Sequence, residues 1–168
     1  MQALYEKRAD HPSIRRRRFE SCSHLRLQDC CEVFALNRQL YRRLFYLDEL
    51  FYEGTGRTGR SAVLAVDPKT GKSTVRHDLP PELFGEGIVD WAPYVLEWTW
   101  TSHVCVVYDG LTLRPVTTFT YAGEGWGRAR TTTELVTRDG TAAIRFRDPH
   151  TLQETRQILV KGGSKIID

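Results

Sequence analysis

Val66-Asp67-Pro68-Lys69-Thr70-Gly71, Tyr108-Asp109-Gly110-Leu111-Thr112-Leu113 and Arg147-Asp148-Pro149-His150-Thr151-Leu152 are three versions of one turn, with Asp67, Asp109 and Asp148 separated by 42 and 39 residues. Each turn follows an alternating apolar run: Ala62-Val63-Leu64-Ala65-Val66, Val104-Cys105-Val106-Val107-Tyr108 and Ala143-Ile144-Arg145-Phe146. Each leads into a second strand-like segment, at residues 73–79, 114–120 and 155–160. Asp-Pro and Asp-Gly between alternating runs predict strand, turn, strand in triplicate. A further strand is expected ahead of each pair, at residues 44–52, 94–100 and 134–137. Several short strands per unit of about 40 residues, with no amphipathic helix between them, is the pattern of a β-propeller blade.

Residues 44–160 supply three such units, whereas closed propellers use about 4 to 8 blades. The expected fold is therefore all-β, a partial propeller domain over residues 44–160 followed by a tail at 161–168. An open arc leaves unpaired strand edges, which favours self-association or docking to another chain.

Residues 1–43 read as a basic leader of a different kind. They hold ten Lys/Arg against five Asp/Glu, while residues 44–168 hold fourteen against sixteen. The basic excess thus lies outside the repeats, and no nucleic-acid surface is expected on them. Arg15-Arg16-Arg17-Arg18 reads as a solvated, disordered arm, with nuclear targeting or RNA contact as the alternative. Val33, Leu36, Leu40, Leu44 and Leu47 recur at helical spacing, in competition with a strand from Leu44 onward, so the leader is expected to be helical or disordered. No apolar signal region follows the arginines and no stretch approaches 18 apolar residues, so the expectation is a soluble, intracellular chain without membrane contact. Cys22, Cys30 and Cys31 lie near His24 but form no C-x-x-C pair, and His11, His24, His77, His103 and His150 are scattered. No metal site and no cofactor are expected. Cys105, inside an alternating run, reads as a small core residue.

Candidate chemistry lies in two glycine-framed acidic motifs, Phe84-Gly85-Glu86-Gly87 and Glu124-Gly125-Trp126-Gly127. Glycines on both sides of Glu86 allow the backbone to turn tightly and present the carboxylate at a strand start. Placed at a propeller's central channel, that carboxylate would be partly desolvated and able to move protons near neutrality; a glutamate in a surface turn is the alternative. Trp98 shares a strand face with Tyr94 and Leu96 and reads as core. Trp100, at the end of that strand, and Trp126, between glycines, read either as pocket walls or as packing.

The succession Leu47-Asp48-Glu49-Leu50-Phe51-Tyr52-Glu53-Gly54-Thr55-Gly56, Gly59-Arg60-Ser61, Phe84-Gly85-Glu86-Gly87-Ile88, Thr99-Trp100, Glu124-Gly125-Trp126-Gly127 and Asp139-Gly140-Thr141 closely resembles the plant and bacterial type of glutaminyl-peptide cyclotransferase. The resemblance runs from about Leu44 to Val160. It implies a five-bladed β-propeller, unrelated to the zinc-dependent animal enzymes, that converts an N-terminal glutamine to pyroglutamate and releases ammonia. It implies Glu86 as catalytic general base and acid, and Trp100 and Trp126 as indoles holding the substrate glutamine. Glu53 matches an acidic residue at the equivalent corner one blade earlier, as a second substrate contact or a structural turn. Peptides or proteins with N-terminal glutamine are the implied partners, and relatives can be secreted.

Departures accompany the matches. Leu40-Tyr41-Arg42-Arg43-Leu44 stands where the family has Phe-Thr-Gln-Gly-Leu, Arg138 replaces the serine of Ser-Asp-Gly, and Arg128 replaces the leucine after Gly-Trp-Gly. The family's later segments, with a pocket asparagine and lysine, do not follow Val160. The expectation is a truncated or rearranged member whose first 43 residues are foreign to the family. A non-catalytic repeat module, binding a protein partner through blade edges or the basic arm, is the competing reading.

Overall fold

In the computed structural model, which describes residues 41–162 and 165–166, each repeated turn is closed by its own aspartate. The Asp67 carboxylate accepts the Lys69 N–H at 2.8 Å and the Thr70 hydroxyl at 3.0 Å. Asp109 takes the N–H groups of Leu111 and Thr112 at 3.2 and 3.0 Å, and Asp148 those of His150 and Thr151 at 2.9 and 2.7 Å. Such side-chain acceptors substitute for water at a turn and set its geometry. The residue four beyond each aspartate donates its N–H back to the aspartate carbonyl at 2.8 to 2.9 Å, with φ of 64° at Gly71, 51° at Leu113 and 59° at Leu152. Glycine adopts that region freely, whereas leucine does so at a cost. Burial offsets it: Leu113 is 0% and Leu152 4% exposed.

These turns join the third and fourth strands of each blade. The strands are β1 (Tyr41–Leu47), β2 (Leu50–Thr55), β3 (Ala62–Val66) and β4 (Ser73–Asp78) in blade 1, and β5 (Gly85–Trp91), β6 (Tyr94–Thr99), β7 (Val104–Asp109) and β8 (Pro115–Thr120) in blade 2. Blade 3 contains β9 (Arg128–Arg130), β10 (Leu135–Arg138), β11 (Ala143–Arg147) and β12 (Glu154–Leu159). Among the described residues these form three four-stranded antiparallel meanders, each in sequential order. The first strands lie together, β1 beside β5 and β5 beside β9, and the fourth strands face outward. That is the radial stacking of propeller blades.

Among the described residues the core comprises two seams between blades and a third cluster, Ala62, Leu64 and Val66 with Phe51, on the other face of blade 1. Tyr52, Val63 and Ala65 of blade 1 pack on Ile88, Val95, Val106 and Tyr108 of blade 2. On the other face of blade 2, Leu96, Trp98, Cys105 and Val107 pack on Leu135 and Leu152 of blade 3. Trp98 and Cys105 are core residues, and β6 divides its faces as the alternation requires, with Val95 toward blade 1 and Leu96 and Trp98 toward blade 3.

The structure changes three sequence expectations. The single strand expected over residues 44–52 is a hairpin: β1 and β2 pair from Tyr41↔Thr55 to Leu47↔Leu50 around Asp48 and Glu49, whose φ values are 49° and 67°. Both turn residues in that region make the tight turn that matches strand twist, usually built with Asn-Gly, which is why no glycine flagged it. The strand reading also prevails over the helical one from Tyr41, three residues ahead of the expected domain start. At the other end, Lys161–Gly162 pairs with Lys165–Ile166 where a tail was expected. The leader upstream of Tyr41, with its arginine run and Cys22, His24, Cys30 and Cys31, lies outside the described residues.

Candidate active site

Strand direction brings the candidate residues to one end of the blades. β5 and β9 begin there, and β2, β6 and β10 end there, so the segments at Thr55, Gly85, Thr99, Gly127 and Arg138 are neighbours.

Glu86 occupies a β-bulge at this end of the innermost strand of blade 2. The register passes from Gly85↔Thr99 to Ile88↔Glu97, so Glu86 and Gly87 together oppose Trp98. A bulge leaves one residue out of the ladder and re-aims its side chain, a device common beside active sites. Both flanking glycines are needed for contact. A Cβ on Gly85 would stand 2.5 Å from Glu97 Oε1 and 2.8 Å from the Thr55 carbonyl oxygen; one on Gly87 would stand 2.5 Å from the Trp126 carbonyl oxygen. The bulge is thus wedged between blade 1 and the start of blade 3, with Glu86 itself half-buried.

The backbone around it is tied across blades. The Gly85 N–H donates to Ser61 Oγ at 3.0 Å, and Ser61 also receives the Arg57 N–H at 3.1 Å and donates to the Arg57 carbonyl at 2.9 Å. Trp100 N–H donates to the Phe84 carbonyl at 2.8 Å, and Gly125 N–H to the Trp100 carbonyl at 2.9 Å. Tyr121 donates its hydroxyl to the Thr99 carbonyl. Trp100 and Trp126 therefore flank the Glu86 segment from both sides while remaining 41% and 43% exposed. Glu124 lies between them, and its Oε2 is 2.7 Å from the Nε1 of each indole. Those indole donors, Trp126 first, hold the Glu124 carboxyl below the ordinary carboxylate range.

Beneath the bulge is a second carboxyl. Glu97 of β6 is fully buried, its Oε2 accepting the Tyr108 hydroxyl at 2.8 Å, while Oε1 lies against Gly85 without a hydrogen-bond partner among the described residues. Burial pushes its pKa up to about 8, against the opposing effect of the Tyr108 hydrogen bond. Glu53 holds the same register on β2 that Glu97 holds on β6, opposite Leu64 and Val106 respectively. It is therefore the counterpart of Glu97, not of Glu86, and sits inside a strand instead of at a corner. It shares the face of blade 1 with Phe51 and Thr55, away from the seam with blade 2, and burial pushes its pKa up to about 7. The structure brings Glu86, Trp100 and Trp126 together and leaves Glu53 apart.

Arg128, the departure after Gly-Trp-Gly, fills its place with a cation on aromatic faces. Its guanidinium lies 4.7 Å from the Trp98 ring centroid and 5.9 Å from that of Tyr121, and it donates to the carbonyls of Gly127 and Arg138 at 2.8 and 2.7 Å. Its stem packs on Gly87. Arg138 is exposed, and its carbonyl also accepts the Trp126 N–H at 3.2 Å.

The model of the family described as glutamine cyclotransferase matches residues 22–168. The chain belongs to the glutamine cyclotransferase family. The matched span starts at Cys22, so residues 22–43 are not foreign to the family as the sequence reading expected; the arginine-rich segment ahead of them is outside the match. The chain is 29% identical over 119 residues to the glutaminyl-peptide cyclotransferase of Arabidopsis thaliana, covering 70% of this chain and 37% of that protein. Its fold matches the glutaminyl cyclase of Myxococcus xanthus with a TM-score of 0.70 at 22% identity, over 77% of this chain and 55% of that one. The WD40 domain of Neurospora crassa Pan2 matches with a TM-score of 0.60 at 12% identity, over 73% of this chain and 36% of that one. The glutamine cyclotransferase likeness and the WD40 likeness agree on a propeller fold. The chain spans well under two thirds of the length of these relatives.

Ser61, Glu97 and Tyr121 escaped the sequence reading as site-building residues, and Glu124 entered it only as part of its glycine-framed motif. Only Ser61 and Glu124 carried a signal there, inside Gly-Arg-Ser and Glu-Gly-Trp-Gly.

Proposed function

We propose that the chain carries a glutamine-cyclising site, converting the N-terminal glutamine of a peptide to pyroglutamate with release of ammonia. The observation that carries this reading is the half-buried Glu86 on a bulge whose neighbours Phe84 and Gly87 meet the backbones of the two accessible tryptophans, Trp100 and Trp126, in a member of the glutamine cyclotransferase family. The substrate holds both reacting groups. Its neutral α-amine attacks its own side-chain amide carbon, a C–N bond forms to close the five-membered ring, and the bond to the amide nitrogen breaks. The protein's task is to hold the near-attack geometry and to move one proton. Glu86 takes that proton from the attacking amine and returns it to the departing nitrogen, which leaves as ammonia. Trp100 and Trp126 hold the glutamine side chain between apolar surfaces and keep water from competing. Glu53, buried and away from the indoles, is assigned a structural role and not a substrate contact.

The test is ammonia release from a synthetic glutamine-initiated peptide by the purified full chain, beside Glu86→Gln and a protein-free control that measures spontaneous cyclisation. Turnover above the control that disappears in the variant supports the reading; a folded chain with no turnover above the control overturns it.

A further inference from the structure

Trp100 and Trp126 reach the same carboxylate oxygen from two different blade connections, 24 residues apart in one case and two in the other. Exposed tryptophans on loops ordinarily keep rotamer freedom, and any ligand that packs on them must remove it. Here both Nε1 donors end on Glu124 Oε2 at 2.7 Å, within the range of charge-assisted bonds. The rest of each ring is braced as well. The Trp100 ring meets Phe84 edge to face at 5.7 Å, and Trp126 lies so close to Gly140 that an added Cβ there would be 3.0 Å from its Cζ2. The backbones of both tryptophans are held by the bonds to Phe84, Gly125 and Arg138 already described.

We infer that Glu124 is the positioning residue of this site: it locks the two indoles as one preformed wall, and by occupying both N–H donors it leaves their ring faces, not their nitrogens, to meet the ligand. This rests on the reading of Trp100 and Trp126 as substrate-holding residues. The ligand class it selects is a flat, uncharged side chain such as a primary carboxamide, gripped by faces and reached by a separate acid–base group. An indole nitrogen engaged this way cannot also bind the carboxamide oxygen.

The experiment is a nuclear magnetic resonance study of the full chain with 15N-labelled tryptophan, assigned by Trp→Phe substitution at each of the four positions. In the wild type the Trp100 and Trp126 indole N–H signals should be shifted downfield and protected from solvent exchange. In Glu124→Ala both should move together and exchange faster, in Glu124→Gln both should stay near their original positions because the amide oxygen still accepts, and Trp91 and Trp98 should be unmoved in either. Signals of Trp100 and Trp126 that ignore Glu124→Ala, or that move singly, overturn the inference. Titration with a glutamine-initiated peptide gives the second readout: Glu124→Ala should weaken binding about tenfold while Glu124→Gln binds as wild type. Released indoles with unchanged peptide affinity would also overturn it. A wild type that binds no such peptide overturns the proposed function, and the indole signals then decide the lock by themselves.

Discussion

Ser61 Oγ accepts the Gly85 N–H at 3.0 Å, so a hydroxyl in the β2–β3 loop of blade 1 anchors the first residue of the segment that carries Glu86 in blade 2. The oxygen is buried, and the same hydroxyl closes its own loop through Arg57. Ser61→Ala therefore removes the side-chain acceptor of the Gly85 and Arg57 N–H groups, while the Arg57 carbonyl keeps the Arg60 N–H at 3.0 Å. Leaving such a group unsatisfied costs roughly 1–3 kcal/mol. Urea denaturation of the variant should show a loss of about that size with an unchanged denaturant slope, and turnover of a glutamine-initiated peptide should fall with it. A variant as stable as the wild type would mean that water replaces the hydroxyl fully.

Gly87 faces the Trp126 carbonyl, and backbone cannot move aside as a flexible side chain can. Gly87→Ala should shift the bulge or separate β5 from β9, with a cost of about 1–3 kcal/mol for the overpacking. Peptide turnover should drop more than stability predicts, because the displaced residue is the neighbour of Glu86. Comparing melting curves with ammonia release at a temperature where both forms are folded separates the two effects.

Glu97 makes the fold lose stability as pH rises from about 4.5 toward 8. Its carboxyl titrates at its ordinary 4.5 when unfolded and near 8 when folded, so the contribution of its protonated form is complete below pH 4.5 and is lost as pH rises toward 8. Glu53, raised to about 7, acts in the same direction over a narrower range. Wild-type stability should decline between pH 5 and pH 8 by an amount on the order of a few kcal/mol. Glu97→Gln, which keeps the shape and an acceptor for Tyr108, should flatten most of that decline. Equal slopes in wild type and variant would show that Glu97 is ionised in the folded chain.

Glu86→Gln should leave the fold intact, since the side chain stands on a bulge and outside both seams. Removing a general acid–base group costs about 10²- to 10⁴-fold in rate. Steady-state ammonia release should show that loss mainly in kcat, and circular dichroism should match the wild type.

Much of the fold was legible because a propeller blade is a local object. Alternation of period two, Asp-Pro and Asp-Gly turns and the 42- and 39-residue repeat each concern residues close in the chain, and Asp67, Asp109 and Asp148 do at atomic scale what their spacing implied. The hairpin at Asp48 and Glu49 was missed because its conformation is common for glycine and rare for these residues, and neighbouring strand register stabilises it instead.

The amino-acid sequence by itself determined the strands, the three turns, the blade repeat and the two glycine-framed acidic motifs, since all of these follow from side-chain periodicity and backbone preference over a few residues. Only the tertiary structure decided which of those residues meet: that Ser61 holds Gly85, that Glu97 lies under the bulge while its counterpart Glu53 faces away, and that Glu124 takes both indoles. The physical reason is that a blade buries its faces only against its neighbours. The contacts of Ser61 with Gly85 and of Arg128 with Trp98 and Tyr121 are therefore set by the stacking of blades that repeat about every 40 residues, which no local pattern encodes.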